Sequence, residues 1–259
     1  MTTEQRTLHA DMTGLTALVT GGGTGIGRAI SIGLARCGAT VVVNYRRSHE
    51  AADDTVKTIT DGGGRAIAVQ SDVTDEAQVE QLIATVLKAY GTLDILIANA
   101  GGPADPCPTE KLSAVQWDKG MALNAKSVFF CVKHAVGHLP EGRGRIIITS
   151  SISARSGGGP GMIVYAAAKG AVNNMVRGWA KEFAPRRITI NAIAPGVIRT
   201  RIHEQGTSPE EYKKLIERIP LGRDGIREDC VGTVLLLASE SGSYITGQII
   251  EINGGMQMP

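Results

Sequence analysis

Short runs of β-branched residues alternate with longer helical patterns along nearly all of the 259 residues. This alternation predicts an α/β fold in which a doubly wound, parallel, seven-stranded sheet carries helices on both faces. No linker, composition break or internal repeat divides the chain, so we predict a single domain over residues 1–259. The predicted strands are Leu15–Thr20, Thr40–Asn44, Ala66–Gln70, Leu93–Ala98, Arg145–Ser150, Thr189–Ala194 and Gln248–Ile252, and the predicted helices span 25–37, 48–61, 75–90, 110–138, 162–184 and 226–239.

One segment, 199–224, breaks this rhythm. It is polar and charged, contains Gly206 and Pro209, and includes a short helical stretch near Glu210–Arg218. In an α/β sheet, a long insertion after the carboxyl end of a strand lies over the ligand crevice. We therefore predict a mobile substrate lid here, and the alternative is a surface loop without a role in binding.

Composition and charge exclude several classes of function. The formal net charge is +2 and no long basic run occurs, which argues against nucleic acid or an anionic membrane as a partner. Residues 1–13 are polar, and no apolar run is long enough to span a bilayer. The four cysteines show neither metal-ligand nor redox spacing, as is typical of reduced thiols. We predict a soluble, cytoplasmic protein.

A glycine-rich run, Thr20–Gly27, follows the first predicted strand and opens into a helix. Its glycines permit a tight turn and close approach to a pyrophosphate, while the helix N-terminus supplies free N–H groups and a partial positive charge. In this position the run predicts a Rossmann-like dinucleotide site. The residues predicted to contact the cofactor are Gly21, Thr24, Gly25, Ile26 and Gly27.

The end of the second predicted strand bears on the choice of cofactor. An acidic residue there would bind the ribose hydroxyls of NAD and repel a 2′-phosphate. Instead, neutral Asn44 is followed by Tyr45, Arg46 and Arg47, and the planar guanidinium group suits a phosphate dianion. NADP(H) is therefore favoured over NAD(H), which remains possible because Thr24 stands where a basic residue would strengthen the argument. The two arginines have an alternative interpretation as a solvated helix entry.

Two further strand ends are predicted to border the cofactor. Asp72 and Val73 follow the third strand, where a carboxylate can bind the adenine amino group. Asn99, Ala100 and Gly101 follow the fourth strand, at the edge of the sheet where main-chain atoms would line the same site.

Tyr165 and Lys169 stand four residues apart in a predicted helix, so their side chains share one face. An ammonium group beside a phenol favours the phenolate, so we expect a lowered tyrosine pKa and a phenol that exchanges protons near neutral pH. Such pairs are also common on solvated helix faces, so a catalytic interpretation of this pair depends on the other motifs in the chain.

Together these motifs resemble the short-chain dehydrogenase/reductase family over residues 12–255. Its Asn-Asn-Ala-Gly motif appears as Ala98-Asn99-Ala100-Gly101, with the first asparagine replaced. Further matching elements are the glycine motif Thr20–Gly27, the helix asparagine Asn124, the pair Tyr165 and Lys169, the turn Pro195-Gly196 with Thr200 beyond it, the segment Tyr244–Gln248 and the ending Asn253-Gly254-Gly255.

The resemblance implies a catalytic serine at the end of the fifth strand. Ser151 lies fourteen residues before Tyr165 rather than the usual thirteen, which implies one extra residue in the glycine-rich loop 156–161. Ser150 and Ser153 are alternatives. The extra residue would change the shape of that substrate wall but not the chemistry.

The resemblance also implies a role for each site residue. Tyr165 would exchange a proton with the substrate oxygen, Lys169 would lower the pKa of the tyrosine and bind the nicotinamide ribose, and Ser151 would bind the carbonyl oxygen. Asn124 would hold a water molecule that relays protons from Lys169. The residues that would border the nicotinamide are Pro195, Gly196, Val197, Ile198 and Thr200.

No metal site is predicted. His134 and His138 have a spacing that can bind zinc, but the helix offers no third ligand. In relatives the helices corresponding to 110–138 and 162–184 form the subunit interface, so we expect a homo-oligomer, either a tetramer or a dimer.

The function expected from the resemblance is NADP(H)-dependent interconversion of a small ketone, aldehyde or sugar and its alcohol. The first alternative is a 3-oxoacyl-[acyl-carrier-protein] reductase, which needs basic residues at the mouth of the site. Arg186 occupies one such position, but His138 stands where a fixed positive charge is expected. An alternative from a different class is a non-catalytic NADP(H)-binding regulator.

Overall fold

The computed structural model describes residues 10–103, 106–199 and 209–258. Seven strands form one sheet in the order β3-β2-β1-β4-β5-β6-β7, and every pairing between neighbours is parallel. The predicted doubly wound parallel sheet is therefore confirmed. The strands are β1 Thr16–Val19, β2 Thr40–Tyr45, β3 Arg65–Gln70, β4 Ile95–Ala98, β5 Arg145–Thr149, β6 Thr189–Pro195 and β7 Ile249–Ile252.

Helices cover both faces of the sheet. In the part of the chain that is described, none is both long and apolar enough to cross a bilayer. The helices are α1 Gly25–Arg36, α2 His49–Asp61, α3 Glu76–Tyr90, α4 Ala114–Met121, α5 Ser127–Val136, α6 Ser153–Ser156, α7 Ile163–Phe183, α8 Pro209–Glu217 and α9 Val231–Ala238. All four cysteines lie in the described ranges and are free, as predicted.

The core lies on both sides of the central strands. Every residue of β1, β4 and β6 is buried, which explains why these strands are nearly continuous runs of apolar residues. One cluster packs α3, α5 and α7 against the sheet, and the other packs α1 and α9 against the opposite face. The order of the strands reverses between β1 and β4, and the crevice at their carboxyl ends is where such sheets bind ligands.

The predicted helix 110–138 is helical without interruption from Ala114 to Val136, but its ends and its regularity differ from the prediction. It consists of a 3₁₀ turn at Thr109–Lys111, then α4, a π-helical turn at Ala122–Lys126, and α5. The cause of the late start of α4 is a capping box, in which Ser113 accepts from the Gln116 N–H and Gln116 reaches back to Ser113. The π-helical turn contains Asn124.

Other boundaries differ by a few residues. The predicted helix 226–239 begins as a 3₁₀ turn, Arg227–Cys230, before α9. The fourth strand starts at Ile95 rather than Leu93. Just before it, the Asp94 carboxylate accepts from the Thr16 N–H and the Asp94 N–H donates to the Thr16 main-chain oxygen, so a side chain takes part in the pairing at that position.

The described part of the predicted lid is held to the end of β6. Residues 200–208 lie outside the described residues, and α8 follows them at the place where the sequence predicts a helix. Arg199 forms a bidentate ion pair with Asp224 at 2.8 and 2.9 Å, and the Tyr212 hydroxyl donates to the same carboxylate at 2.6 Å. A role of this segment as a substrate lid stays a prediction.

Candidate active site

The glycine-rich loop between β1 and α1 is shaped for close approach of a ligand. Gly21 and Gly25 have φ of +61° and +51°, a region that other residues rarely adopt. A Cβ on Gly27 would collide with the main-chain oxygen of Gly21 and lie 2.5 Å from Asn99 Nδ2. Thr24 precedes α1 with extended backbone and makes no side-chain cap hydrogen bond, so its hydroxyl leaves the first N–H groups of the helix to a ligand.

Two asparagines hold this loop in place. Asn44 is 2% exposed; its Oδ1 accepts from the Gly21 N–H at 3.4 Å, and its Nδ2 donates to the main chain of β3 and of Ser71. Asn99 donates from Nδ2 to the main-chain oxygen of Thr20 at 3.0 Å. Both side chains are occupied by protein, so their contribution to a cofactor site lies in shaping the loop.

The adenosine end of the predicted site has a tethered arginine. Arg46 lies 3.4 Å from Asp72, and its main-chain oxygen accepts from Gln70. Burial raises the pKa of Asp72, but hydrogen bonds from Thr74 and the charge of Arg46 outweigh it, so the net pKa lies below the ordinary value. Tyr45 stacks on the ring of His49, with centroids 5.3 Å apart. Val73 is buried in the core.

The predicted catalytic residues meet where β5 ends beside α7. Lys169 Nζ donates to the main-chain oxygen of Thr149 at 2.7 Å and lies 5.7 Å from the centre of the Tyr165 ring. Ser151 and Lys169 are 9% and 2% exposed. The Ser151 side chain interacts with the Tyr165 hydroxyl. The structure therefore brings together the serine, tyrosine and lysine that the sequence singles out.

The expected direction of the tyrosine pKa is wrong for the protein alone. Burial raises the pKa of Tyr165, and the hydrogen bond with Ser151 lowers it by less. Burial also lowers the pKa of Lys169 to about 8. A lysine with a pKa of about 8 loses its proton before the phenol does, so it is neutral when Tyr165 titrates and does not lower the tyrosine pKa.

Asn124 connects the catalytic cluster to the loop after β4. Its Oδ1 accepts from the Gly102 N–H at 2.9 Å, and its Nδ2 donates to the main-chain oxygens of Gly102 and Gly120. A Cβ on Gly101 would lie 2.8 Å from Asn124 Oδ1 and 3.3 Å from Lys169 Nζ. Ala100 is tied to the first strand through the hydroxyl of Thr20. Asn124 therefore anchors this loop, and a role in proton relay stays a prediction.

The segment after β6 packs against β7 and the chain beyond α8. The Gly196 N–H donates to Ile252, the oxygen of Val197 accepts from the Gly225 N–H, and Pro195 accepts from the Ile152 N–H. Val197 and Ile198 are buried and line a cavity of about 280 Å³. Thr200, which the sequence predicts as a cofactor contact, lies outside the described residues.

Sequence reasoning missed one buried polar pair beside this cluster. Ser150 Oγ donates to Asn173 Oδ1 at 2.6 Å, and the two residues are 2% and 5% exposed. Asn173 lies four residues after Lys169, so the helical spacing that marks Tyr165 and Lys169 also placed it on the same face. The signal was present, but an asparagine in a helix is more often a solvated residue.

Comparison with known proteins covers almost the whole chain. The family model described as enoyl-(acyl carrier protein) reductase matches residues 21–257. The chain is 36% identical over 256 residues to the hydroxynaphthalene reductase-like protein Arp2 of Metarhizium robertsii, covering 94% of this chain and 95% of that protein. It is 38% identical over 242 residues to the 3-oxoacyl-[acyl-carrier-protein] reductase FabG of Staphylococcus aureus, covering 93% and 98%.

Solved structures show the same fold at similar identity. A short-chain dehydrogenase from Burkholderia cenocepacia in complex with NADP superposes with a TM-score of 0.89 at 34% identity, covering 95% of this chain and 98% of that one. A blue fluorescent protein from a metagenomic library in complex with NADPH gives 0.90 at 33%, covering 96% and 100%. An NADH-dependent reductase responsible for alginate metabolism gives 0.87 at 32%, covering 96% and 99%.

Proposed function

The chain belongs to the short-chain dehydrogenase/reductase family of oxidoreductases, and on that premise we propose that it interconverts a small carbonyl compound and its alcohol with NADP(H). Tyr165 is the acid and base of this reaction. The observation that carries the proposal is the convergence of Ser151, Tyr165 and Lys169 at the end of β5, beside the loop that Asn124 anchors.

The cradle between β1 and α1 fits a dinucleotide. The glycines at 21, 25 and 27 leave room for phosphate oxygens, and the N-terminus of α1 supplies N–H groups and a positive dipole end. The bound cofactor supplies or accepts the hydride. Ala100 and Gly101 border the crevice, and Val197 and Ile198 lie at its nicotinamide end.

Arg46 supports NADP(H) as the preferred form. It carries the fixed charge at the end of β2, where a neutral asparagine replaces the carboxylate that would select NAD(H). Two solved relatives hold NADP or NADPH, whereas a third is described as NADH-dependent, so use of both cofactors is the alternative.

In the reductive direction, the phenol of Tyr165 gives its proton to the carbonyl oxygen, and in the oxidative direction the phenolate takes that proton back. Because burial raises the pKa of Tyr165, the protonated form needed for reduction predominates at neutral pH. Ser151 donates a hydrogen bond to the same substrate oxygen and stabilises the developing charge. Lys169 binds the ribose and, with Asn124, passes protons to solvent.

The substrate is a free small ketone, aldehyde or sugar. The second candidate, reduction of a 3-oxoacyl group on a carrier protein, draws support from the similarity to FabG. Against it, the guanidinium of Arg186 already donates to the main-chain oxygens of Val136 and Leu139, both at 2.9 Å, at the end of α5. An arginine engaged in this way is less available to an acidic carrier protein. A non-catalytic regulator is disfavoured because serine, tyrosine and lysine are all present.

A homo-oligomer is also part of the proposal. Large apolar side chains are exposed on α4, α5 and at the start of α7, which fits an interface between copies. They are Val115, Trp117, Phe129 and Ile163. Light scattering after gel filtration tests this part, and a monomer at micromolar concentration would contradict it.

The test is oxidation of NADPH and NADH over a panel of small ketones, aldehydes, diketones and an acetoacetyl thioester, with sugars and polyols in the reverse direction. Turnover with NADPH that is lost in Tyr165→Phe, with the NADPH affinity retained, is the expected result. Tyr244→Phe, at a fully exposed tyrosine, is the matched control. Turnover that survives Tyr165→Phe would refute the mechanism, and tight NADPH binding without turnover of any substrate would favour the regulator.

A further inference from the structure

Three successive residues, the last of β5 and the two that follow it, are each joined to α7 by a polar contact. The pairs are Thr149 with Lys169, Ser150 with Asn173, and Ser151 with Tyr165. The proposed chemistry uses the first and the third pair but leaves the middle pair without a role.

The middle pair is the most enclosed of the three. Ser150 Oγ donates to Asn173 Oδ1 at 2.6 Å, and the Ser150 N–H donates to the main-chain oxygen of Ile193 at 2.7 Å. Both side chains are more than nine-tenths buried. A buried acceptor that loses its donor is costly, so the geometry of this contact is strongly determined.

The position of the pair links it to the site. Ser150 immediately precedes Ser151, and Asn173 lies one helical turn beyond Lys169 and two beyond Tyr165 on the same face of α7. On the other side of Ser151, the chain runs through a short helix into a loop with positive φ at Gly157, Gly158 and Gly161. Nearer to Ser151, its Oγ accepts from the Ser153 N–H at 3.1 Å and the Ile152 N–H donates to Pro195, contacts that hold Ser151 to its own turn and to β6. The bond between Ser150 and Asn173 adds an attachment directly beside Ser151 that fixes it relative to α7.

We propose that Asn173 is a positioning residue that holds Ser151 against Tyr165 through its hydrogen bond with Ser150. This inference rests on the proposed function, since it concerns the same reacting oxygen. Removing the bond would let the end of β5 move relative to α7, and displacements of about 1 Å near a reacting centre can lower turnover about a hundredfold.

The first test is steady-state kinetics of Ser150→Ala and Asn173→Ala with the best substrate of the panel. We expect kcat to fall about tenfold or more in each, with the NADPH affinity unchanged because the bond between Ser150 and Asn173 involves no residue of the glycine-rich loop. Ser150→Thr keeps the hydroxyl and should restore kcat. Asn174→Ala, at the exposed neighbouring position, is the matched control. The double variant should be no slower than the slower single variant, because the two side chains act as one unit.

A second readout needs no substrate. We measure the phenolate absorbance of each variant as a function of pH and subtract that of the same variant carrying Tyr165→Phe. The difference gives the titration of Tyr165 in the free and the NADP⁺-bound protein. The groups facing this phenol are Lys169 on its own helix and Ser151, two residues after β5. Because the contact with Ser151 lowers the tyrosine pKa, both alanine variants should titrate at higher pH than the wild type, and Asn174→Ala should not.

The outcomes separate the two proposals. Suppose that Tyr165→Phe loses turnover while both alanine variants keep the wild-type kcat and an unchanged Tyr165 titration. That result would overturn the positioning role of Asn173 and leave the proposed function intact. Turnover that survives Tyr165→Phe would refute the role of Tyr165 as acid and base, and the titration would still decide whether Asn173 positions Ser151. Thermal unfolding of each variant identifies any that fails to fold, in which case Ser150→Thr and the titration carry the test.

Discussion

Lys169 donates a 2.7 Å hydrogen bond from Nζ to the main-chain oxygen of Thr149, at the point where β5 ends. This bond holds the buried ammonium of Lys169 against the main chain two residues before Ser151. It also holds the helix that carries Tyr165 at the end of the sheet. The same burial that orients the lysine also destabilises its charge, so its protonation is coupled to the stability of the fold.

Lys169 is predicted to make the stability of the protein dependent on alkaline pH. Burial lowers its pKa from 10.5 to about 8, so between these values the unfolded chain binds more protons than the folded one. The contribution of Lys169 to the free energy of unfolding therefore rises with pH across this window, by up to about 3 kcal/mol, and is lost as pH falls through 8.

The measurement is urea unfolding of the wild type and Lys169→Met at several pH values in that range. The wild type is expected to gain stability relative to the variant as pH rises. Lys181→Met, the same change at an exposed position of α7, provides the control and should show a constant difference. A pH-independent difference for Lys169→Met would mean that the lysine is not desolvated.

Arg46→Ala is predicted to weaken binding of NADPH while leaving that of NADH nearly unchanged. A charge-assisted hydrogen bond contributes about 1.5–3 kcal/mol, so the affinity for NADPH should fall roughly ten- to a hundredfold. Calorimetry with 2′,5′-ADP and 5′-AMP measures the effect without turnover. Arg36→Ala removes an equal charge from the far end of α1 and is the control. Equal losses for both nucleotides would contradict a contact with the 2′-phosphate.

Gly27→Ala is predicted to disrupt the glycine-rich loop. The new Cβ would collide with the Gly21 oxygen and approach Asn99 Nδ2 to 2.5 Å, so main chain has to move. Overpacking of this kind costs about 1–3 kcal/mol, and the NADPH affinity should fall as well. Gly178→Ala lies on α7 with no atom within 4 Å of its Cβ and should instead stabilise the helix by up to about 1 kcal/mol. Unfolding curves that shift equally for the two variants would refute the steric argument.

Tyr212→Phe is predicted to loosen α8. Its hydroxyl donates to Asp224 at 2.6 Å, beside the ion pair between Asp224 and Arg199. Losing a hydrogen bond to a charged acceptor should lower the amide exchange protection of α8 about tenfold or more, and raise the substrate KM if α8 covers the site. Tyr244→Phe serves as the control because that ring is fully exposed. Unchanged exchange in α8 would show that the hydroxyl does not hold the helix.

Much of this architecture follows from local patterns in the chain. The spacing of apolar residues predicts the strands and helices because each type of element brings side chains back to its buried face at a characteristic interval. Glycines directly after a strand, and a tyrosine four residues before a lysine, are likewise short-range signals. They identify the pyrophosphate loop and two of the proposed catalytic residues without any knowledge of the partners that surround them.

Other features depend on which distant residues meet, and no local pattern encodes them. The π-helical turn at Asn124 lies where the helix meets Gly102, and the bond between Ser150 and Asn173 joins residues 23 positions apart. The direction of the Tyr165 pKa was mistaken because the spacing of two side chains reveals their mutual distance but not their desolvation. Burial of a group is a property of everything packed around it, so it emerges only when the strands and helices have assembled.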